Sequence, residues 1–286
     1  MIRVAVIGPG RVGTALALAL PRPAYRVTAV AGRGQAALSA FITRLPDAAM
    51  TPLAEVAANV DLVLVCVPDD ALAQVVRAVA KADGVRASSR WVHTSGGYGT
   101  EPLRPARLAG AAVAACHPAM TFPDPDRGLQ RLPGASWAVT ADSERDLAWA
   151  RMLVADLGGK PVIVPGHARA LYQAGLAMGS NATVAVVALA RDLLLGAGIR
   201  DPDEFLGPLA TASAAGAAER GALALTGPVR RGDAGMVTRH LHELRAVMPE
   251  AVEAYVALSR LALRYARRAG LDDEAADRMA AVLEDG

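Results

Sequence analysis

The 286-residue chain is 53% hydrophobic but only 4% aromatic, and its formal net charge is +2. That is enough length for two domains with cores of Ala, Val and Leu, and too little charge for a nucleic-acid-binding face or an acidic tail. Two cysteines, Cys66 and Cys116, make neither a zinc site nor a disulfide framework, so no metal is expected.

Met1–Gly8 reads as a strand running straight into a glycine loop, not as a charged-then-apolar leader. No uninterrupted apolar run is expected to span a bilayer, so a cytoplasmic protein without a membrane partner is anticipated. Further strands are predicted at Arg26–Ala31, Leu62–Val67, Trp91–Thr94, Ala111–Cys116, Trp137–Thr140 and Pro161–Val164. Helical stretches between them give the pattern of a parallel sheet with crossover helices. Leu62–Val67 is apolar throughout, as suits a strand covered on both faces. After Val164 only helices are predicted, at about Ala168–Leu195, Pro202–Arg220, Ala234–Val247, Pro249–Ala269 and Asp273–Leu283. Asp201-Pro202 offers a cap with proline in the first turn, and Gly270 ends a helix as a C-terminal glycine should.

Gly8-Pro9-Gly10-Arg11-Val12-Gly13 follows the first strand and opens a helix rich in Ala and Leu. Strand, G-x-G-x-x-G and helix within one βαβ unit predict a dinucleotide site, with the pyrophosphate on the free N–H groups of the helix start. An NAD site usually ends its second strand in an acid that binds the ribose 2′-hydroxyl; here the chain reads Ala31-Gly32-Arg33-Gly34. Arg33 can pair with a 2′-phosphate, so NADP (as NADPH) is the favoured cofactor. All but Lys81 and Lys160 of the 30 basic residues are arginines, so a solvated surface role for Arg33 stays open. The expected fold class is an α/β Rossmann-type parallel-sheet domain over residues 1–165, followed by a smaller all-α domain over 166–286.

Four segments carry a likeness over nearly the whole chain: Val67-Pro68-Asp69-Asp70, His93-Thr94-Ser95-Gly96-Gly97, His117-Pro118-Ala119-Met120-Thr121-Phe122, and Leu225-Thr226-Gly227-Pro228-Val229-Arg230-Arg231-Gly232-Asp233. The chain resembles short dehydrogenase-like proteins that join a Rossmann-like domain to a helical domain of unknown function, with a C-terminal half similar to that of 6-phosphogluconate dehydrogenase. More distantly it is similar to ketopantoate reductase, pyrroline carboxylate reductase and prephenate dehydrogenase. These imply hydride transfer between a nicotinamide and a small carboxylic acid.

Val67, Pro68, Thr94 and Ser95 stand at carboxyl ends of strands, the edge where a ligand lies in an open parallel sheet, and are expected beside the cofactor. Asp69 and Asp70 read more simply as helix N-caps. The likeness to prephenate dehydrogenases marks His117 as a proton-transfer residue with a pKa near neutrality, although it can equally hold the loop before Pro118. On the long helix, Gln173 follows Tyr172 where the related family commonly has a His, and Asn181 lies two turns on from Gln173 on one face. Gln173 and Asn181 are expected to orient the substrate, because an amide cannot act as a general acid. Arg231, or Arg230, with the Thr226-Gly227 turn is expected to hold a carboxylate. His240 and His242 lie two apart and face differently, so no shared metal is expected there, though His240 could face the cleft.

The expected activity is NADP-dependent reduction of the C=O or C=N of a small oxo- or imino-carboxylic acid, ketopantoate being the first candidate. A non-catalytic dinucleotide-binding regulatory or scaffold protein is the alternative, and Gln173 keeps it open. Between Ala170 and Leu195 the only charges are Arg191 and Asp192, so that helix should be buried nearly all round, in a homodimer joined through the helical domain.

Overall fold

The computed structural model describes residues 1–285. The chain forms two compact units, Met1–Ala177 and a second beginning at Met178, so the contact division falls further along than the Pro165-Gly166 step where strand chemistry stops.

In the first unit the elements run β1 (Ile2–Ile7), α1 (Arg11–Ala19), β2 (Tyr25–Ala31), α2 (Gln35–Arg44), β3 (Ala49–Met50), β4 (Leu62–Val65), α3 (Asp69–Lys81), β5 (Arg90–His93), α4 (Arg104–Leu108), β6 (Ala112–Pro118), α5 (Pro125–Arg131), β7 (Ser136–Ala141), α6 (Glu144–Asp156), β8 (Lys160–Ile163) and α7 (Arg169–Ala177). They build one 8-stranded sheet in the order β3-β2-β1-β4-β5-β6-β7-β8. The chain therefore winds outward from β1 to β3 and returns to β4 on the other side. This leaves a crevice between the carboxyl ends of β1 and β4, the topological switch point.

Two apolar layers sandwich the sheet. Val4, Val6, Leu62 and Leu64 face one core, completed by Leu16, Phe41 and Leu153, while Ala5, Ile7, Val63 and Val65 face the other with Leu72, Val76 and Trp91. This alternation along Val4–Ile7 and Leu62–Val65, apolar at every position, is what a sheet covered on both faces requires.

Two features depart from the expected all-parallel sheet. The short β3 had no counterpart in the sequence reading, and β6 and β7 pair antiparallel, Cys116 opposite Val139 and His117 opposite Ala138. The return of β7 through α5 needs no right-handed crossover, because antiparallel neighbours can follow a shorter connection. Asp69 and Asp70 lie in the first turn of α3 but make no side-chain cap; the N-cap position is Pro68. They act on that helix through its dipole.

The second unit holds a π-helical turn (Met178–Ala182), α8 (Thr183–Gly196), α9 (Asp203–Arg220), α10 (Pro228–Arg231), α11 (Ala234–Val247), α12 (Val252–Arg268) and α13 (Asp273–Glu284). Its core is Val229, Val237, Leu241, Val256, Leu263, Ala276, Met279 and Leu283, supplied by α10 to α13 alone. Asp233 caps α11 by accepting the Met236 N–H at 3.1 Å, worth about 1 kcal/mol. Gly270 takes φ +87° after α12, the left-handed turn that glycine accepts without strain.

The long helical run bears on two expectations. Among the described residues one helix, Gly166–Gly196, is long and apolar enough to cross a membrane, where none was expected. Its charges, Arg169, Arg191 and Asp192, stand toward its two ends and leave the middle apolar. Within the single chain no residue from 170 to 196 is buried, and Leu171, Met178, Val184 and Val186 are exposed, so the burial expected of this helix would fall to a partner copy.

Candidate active site

The glycine loop sits at the switch point and owes its shape to two of its three glycines. Gly8 has φ +94°, and a Cβ there would lie 2.5 Å from the Cys66 carbonyl oxygen. A Cβ on Gly13 would lie 2.2 Å from the Gly8 carbonyl oxygen, so loop and helix approach too closely for a side chain. Gly10 faces open space instead. It is the N-cap of α1 and has no side-chain cap, and the first intrahelical bond is Thr14 N–H to Gly10 C=O at 2.9 Å. The N–H groups from Gly10 to Gly13 thus have no helical acceptor, a row of donors at the positive end of a helix.

Beside this loop lies a cavity of about 580 Å³. It brings together Gly8, Pro9 and Gly10 from the end of β1, Arg33 after β2, and Val67 and Pro68 after β4. Arg11, Val12, Gly13, Thr94 and Ser95 are outside its lining. Arg33 is exposed and has no ion-pair partner among the described residues. The donor row, the two crowded glycines and an unpaired arginine fit a dinucleotide phosphate chain. A cavity of about 640 Å³ at the opposite edge, beside Arg90 and Ala112 where β5 and β6 begin, is slightly larger. It lies at the amino ends of the strands, whereas ligands of open α/β sheets lie at the carboxyl ends.

Further along the same carboxyl edge, β5 and β6 present His93 and His117. His93 is wholly buried: Nε2 donates to the Gly99 carbonyl at 2.5 Å, and Nδ1 accepts the Ser95 N–H at 3.1 Å. Both nitrogens are thereby used as a neutral ring uses them, and burial pushes the pKa down to about 4. His93 shapes the turn that carries Thr94 and Ser95; the Ser95 hydroxyl in turn accepts the Gly97 N–H at 3.3 Å.

His117 pairs through Nδ1 with the Tyr172 hydroxyl at 2.8 Å, the rings meeting edge to face. Burial first, and then the Arg169 charge, push its pKa down to about 4, which corrects the expectation of a value near neutrality. At pH 7 the ring is neutral. Burial raises the pKa of Tyr172, with Arg169 opposing, so this phenol keeps its proton.

Gln173 reaches the same place. A Cβ on Gly96 would lie 1.9 Å from Gln173 Oε1 and 3.1 Å from His117 Nε2, so only glycine leaves room for the amide. Gln173 Oε1 is buried without a hydrogen-bond partner among the described residues, an acceptor left open at the sheet edge.

The residue that sequence reasoning passed over is Arg169. It is 0% exposed, and its guanidinium donates to Thr140 Oγ1 at 2.8 Å and to the carbonyls of Ser95, Ala115 and Ala138 at 3.2, 2.8 and 3.0 Å. In a chain whose bases are nearly all arginine, one more Arg carries no signal. Its place at the head of an otherwise apolar helix was the only available clue.

Asn181, Thr226, Gly227 and Arg231 belong to the second unit. Asn181 is exposed on the π-helical turn, which winds more residues into each turn than an α-helix does. Gly227 caps α10, and Arg231 donates to the Thr226 carbonyl at 2.7 Å, leaving its other N–H groups exposed. His240 does not stand free: its Nδ1 pairs with the Tyr255 hydroxyl at 2.8 Å. Among the described residues no group of three His, Cys, Asp or Glu side chains is placed to hold a metal ion.

No curated protein matches the chain. Among solved structures it is similar to a candidate NADP oxidoreductase from Bacteroides fragilis, at 25% identity and TM-score 0.74, over 91% of this chain and 97% of that one. It is also similar to a protein from Thermotoga maritima, at 19% identity and TM-score 0.72, over 93% of this chain and 98% of that one. A third is an imine reductase from Myxococcus stipitatus in complex with NADP+, at 21% identity and TM-score 0.60, over 99% of this chain and 93% of that one. The last two likenesses speak for the fold alone. Residues 1–118 match a Rossmann-like domain, and residues 135–277, half of the chain, match the domain of unknown function DUF2520. The chain belongs to the DUF2520 family and carries that domain behind a Rossmann-like one.

Proposed function

We propose that the protein is an NADPH-dependent oxidoreductase that reduces the C=O or C=N bond of a small oxo- or imino-carboxylic acid. The observation that carries this reading is the layout of one sheet edge. A phosphate cradle at β1 and β4 is followed, along β5 and β6, by a neutral His–Tyr pair and an unpartnered amide oxygen. The bound cofactor supplies the hydride. Tyr172 holds the proton that the substrate heteroatom must gain, and His117 restores it by donating from Nδ1 while Nε2 takes a proton from solvent. Gln173 orients the substrate, with Asn181 as its proposed companion. In the helical unit, Arg231 with Thr226 and Gly227 is the proposed seat of the carboxylate, since its free N–H groups suit a bidentate contact.

The test is oxidation of NADPH by the full chain against a panel of oxo acids and imino acids, ketopantoate first. Turnover with one of them supports the reading. Tight NADPH binding with no turnover across the panel overturns it in favour of a non-catalytic dinucleotide-binding protein.

NADPH over NADH rests on Arg33 at the cavity wall. Arg33→Ala is expected to weaken NADPH by about 1–3 kcal/mol, the range for hydrogen bonds to a charged group, and to leave NADH nearly unchanged. Titration of cofactor fluorescence measures both; equal wild-type affinities for the two cofactors remove the argument.

We also propose that the protein is a homodimer joined through its helical part. The core of the second unit draws nothing from α8 or α9, and Val184, Val186, Phe205 and Leu209 stay exposed on them. An apolar groove of about 320 Å³ between α8 and α12 is lined by Val186 together with Leu189, Leu193 and Leu258. A patch of this kind in water favours association, and a two-fold copy covers it through one self-complementary contact. Sedimentation at micromolar concentration is expected to give a species of twice the chain mass. A single-chain species that persists as concentration rises excludes the dimer.

A further inference from the structure

We propose that Arg169 is the positioning residue of this site: its guanidinium ties the turn after β5 and strands β6 and β7 to the first turn of α7, and thereby aims Tyr172 at His117 and Gln173 at Gly96. The inference rests on the reading of His117 and Tyr172 as the proton-handling pair.

The geometry is specific. Nε and both terminal nitrogens are engaged, and the four acceptors span two strands and a turn: Thr140 and Ala138 on β7, Ala115 on β6, Ser95 after β5. Ala115 and Ser95 are close in sequence to His117 and His93, and Tyr172 follows Arg169 by one helical turn. The guanidinium carbon lies 5.9 Å from the centre of the Tyr172 ring. One rigid fork thus fixes the distance between the helix that carries Tyr172 and the strand that carries His117. Lysine has neither the planar fork nor the number of donors to do so.

The charge has a second effect. No carboxylate lies within ion-pair distance of Arg169 among the described residues, and the ring of charges around His117 is short. From α7 come Arg169 and Tyr172, from β5 His93, and from β6 itself Cys116; Glu101 acts only on Arg169. His93 is neutral, Tyr172 and Cys116 keep their protons, and the one formal charge facing His117 is the arginine cation. It disfavours the imidazolium and so keeps His117 able to pass a proton in either direction.

The test reads the His117 imidazole by NMR in the full-length protein, its resonance identified by its loss in His117→Gln. In the wild type His117 is expected to stay neutral from about pH 8 to about pH 5.5. Arg169→Met is expected to raise its titration midpoint by about one unit, while Arg169→Lys keeps it low. A purely structural arginine would leave these midpoints together. With a substrate in hand, Arg169→Lys is expected to lower kcat about tenfold or more with KM for NADPH held, because charge is kept and aim is lost. Coincident midpoints in the wild type and Arg169→Met overturn the proposal. So does a wild-type His117 that titrates like free imidazole, a result that needs no variant and decides the matter even if Arg169→Met does not fold. Wild-type turnover in His117→Gln would instead remove the proton-handling reading and leave the NMR result standing.

Discussion

Tyr172→Phe is expected to lower turnover by about 10²–10⁴-fold, the usual contribution of a positioned general acid, with NADPH affinity kept. The hydroxyl removed is the only polar partner of His117 Nδ1 among the described residues, and it lies apart from the cavity beside the glycine loop. His117→Ala is expected to cost a similar factor, and the double variant little more, because the two groups act in one proton relay. The pH profile separates this pair from a simpler scheme. A histidine resting as imidazolium would lose activity as pH rises through neutrality. With its pKa pushed down to about 4, His117 is already neutral, so activity should show no descending limb near pH 7. Steady-state rates of wild type and both single variants across pH 5 to 9 make the comparison. Unchanged turnover in Tyr172→Phe would hand the proton to another group.

What the sequence disclosed and what it withheld follow from the range of the interactions involved. The glycine loop was legible because its signature, strand, G-x-G-x-x-G and helix, is a local motif, although the Cys66 and Val67 atoms that forbid a Cβ on Gly8 come from the end of β4, distant in the chain. The boundaries of β1 and α11 were legible for the same reason, a regular pattern closed by a capping residue. Strand β3 was not, since two residues, Ala49 and Met50, cannot display a period. The antiparallel turn of β7 was not, because alternation along a strand records which face is buried and not which way its neighbour runs. At the site, His117 could be singled out by its place after a strand, but its protonation state could not. That state depends on burial and on Arg169, which lies 52 positions away in the chain and is brought close only by the sheet. Gln173 looked like a loss of chemistry when set beside relatives. In the structure its amide fills the space over Gly96, so the pair Gly96 and Gln173 is one packing solution rather than a vacancy.

Acid should destabilise the fold in a window set by histidine. His93 is wholly buried, and its pKa is pushed from 6.5 to about 4, chiefly by burial. In the unfolded chain the same ring binds its proton near the ordinary value, so between these two values the unfolded state holds more protons than the folded one. Stability therefore rises with pH across that window. Its contribution is fully present above pH 6.5, is lost as pH falls toward about 4, and loses nothing more below that. For His93 alone the loss is of the order of 3 kcal/mol, a large fraction of the stability of an ordinary domain. His117 adds in the same direction, its pKa lowered to about 4 by burial and by Arg169. Asp61 acts in a different range: the Arg3 backbone N–H holds its carboxyl below 3.8, so its contribution fades only in stronger acid. Urea unfolding at a series of pH values from about 7.5 to about 4.5 measures the slope. His93→Gln replaces the ring with an amide that has no proton to gain, so its curve should be flatter across this window whatever its absolute stability. Equal slopes for wild type and His93→Gln would show that the buried ring is protonated in the folded protein as readily as in the unfolded chain.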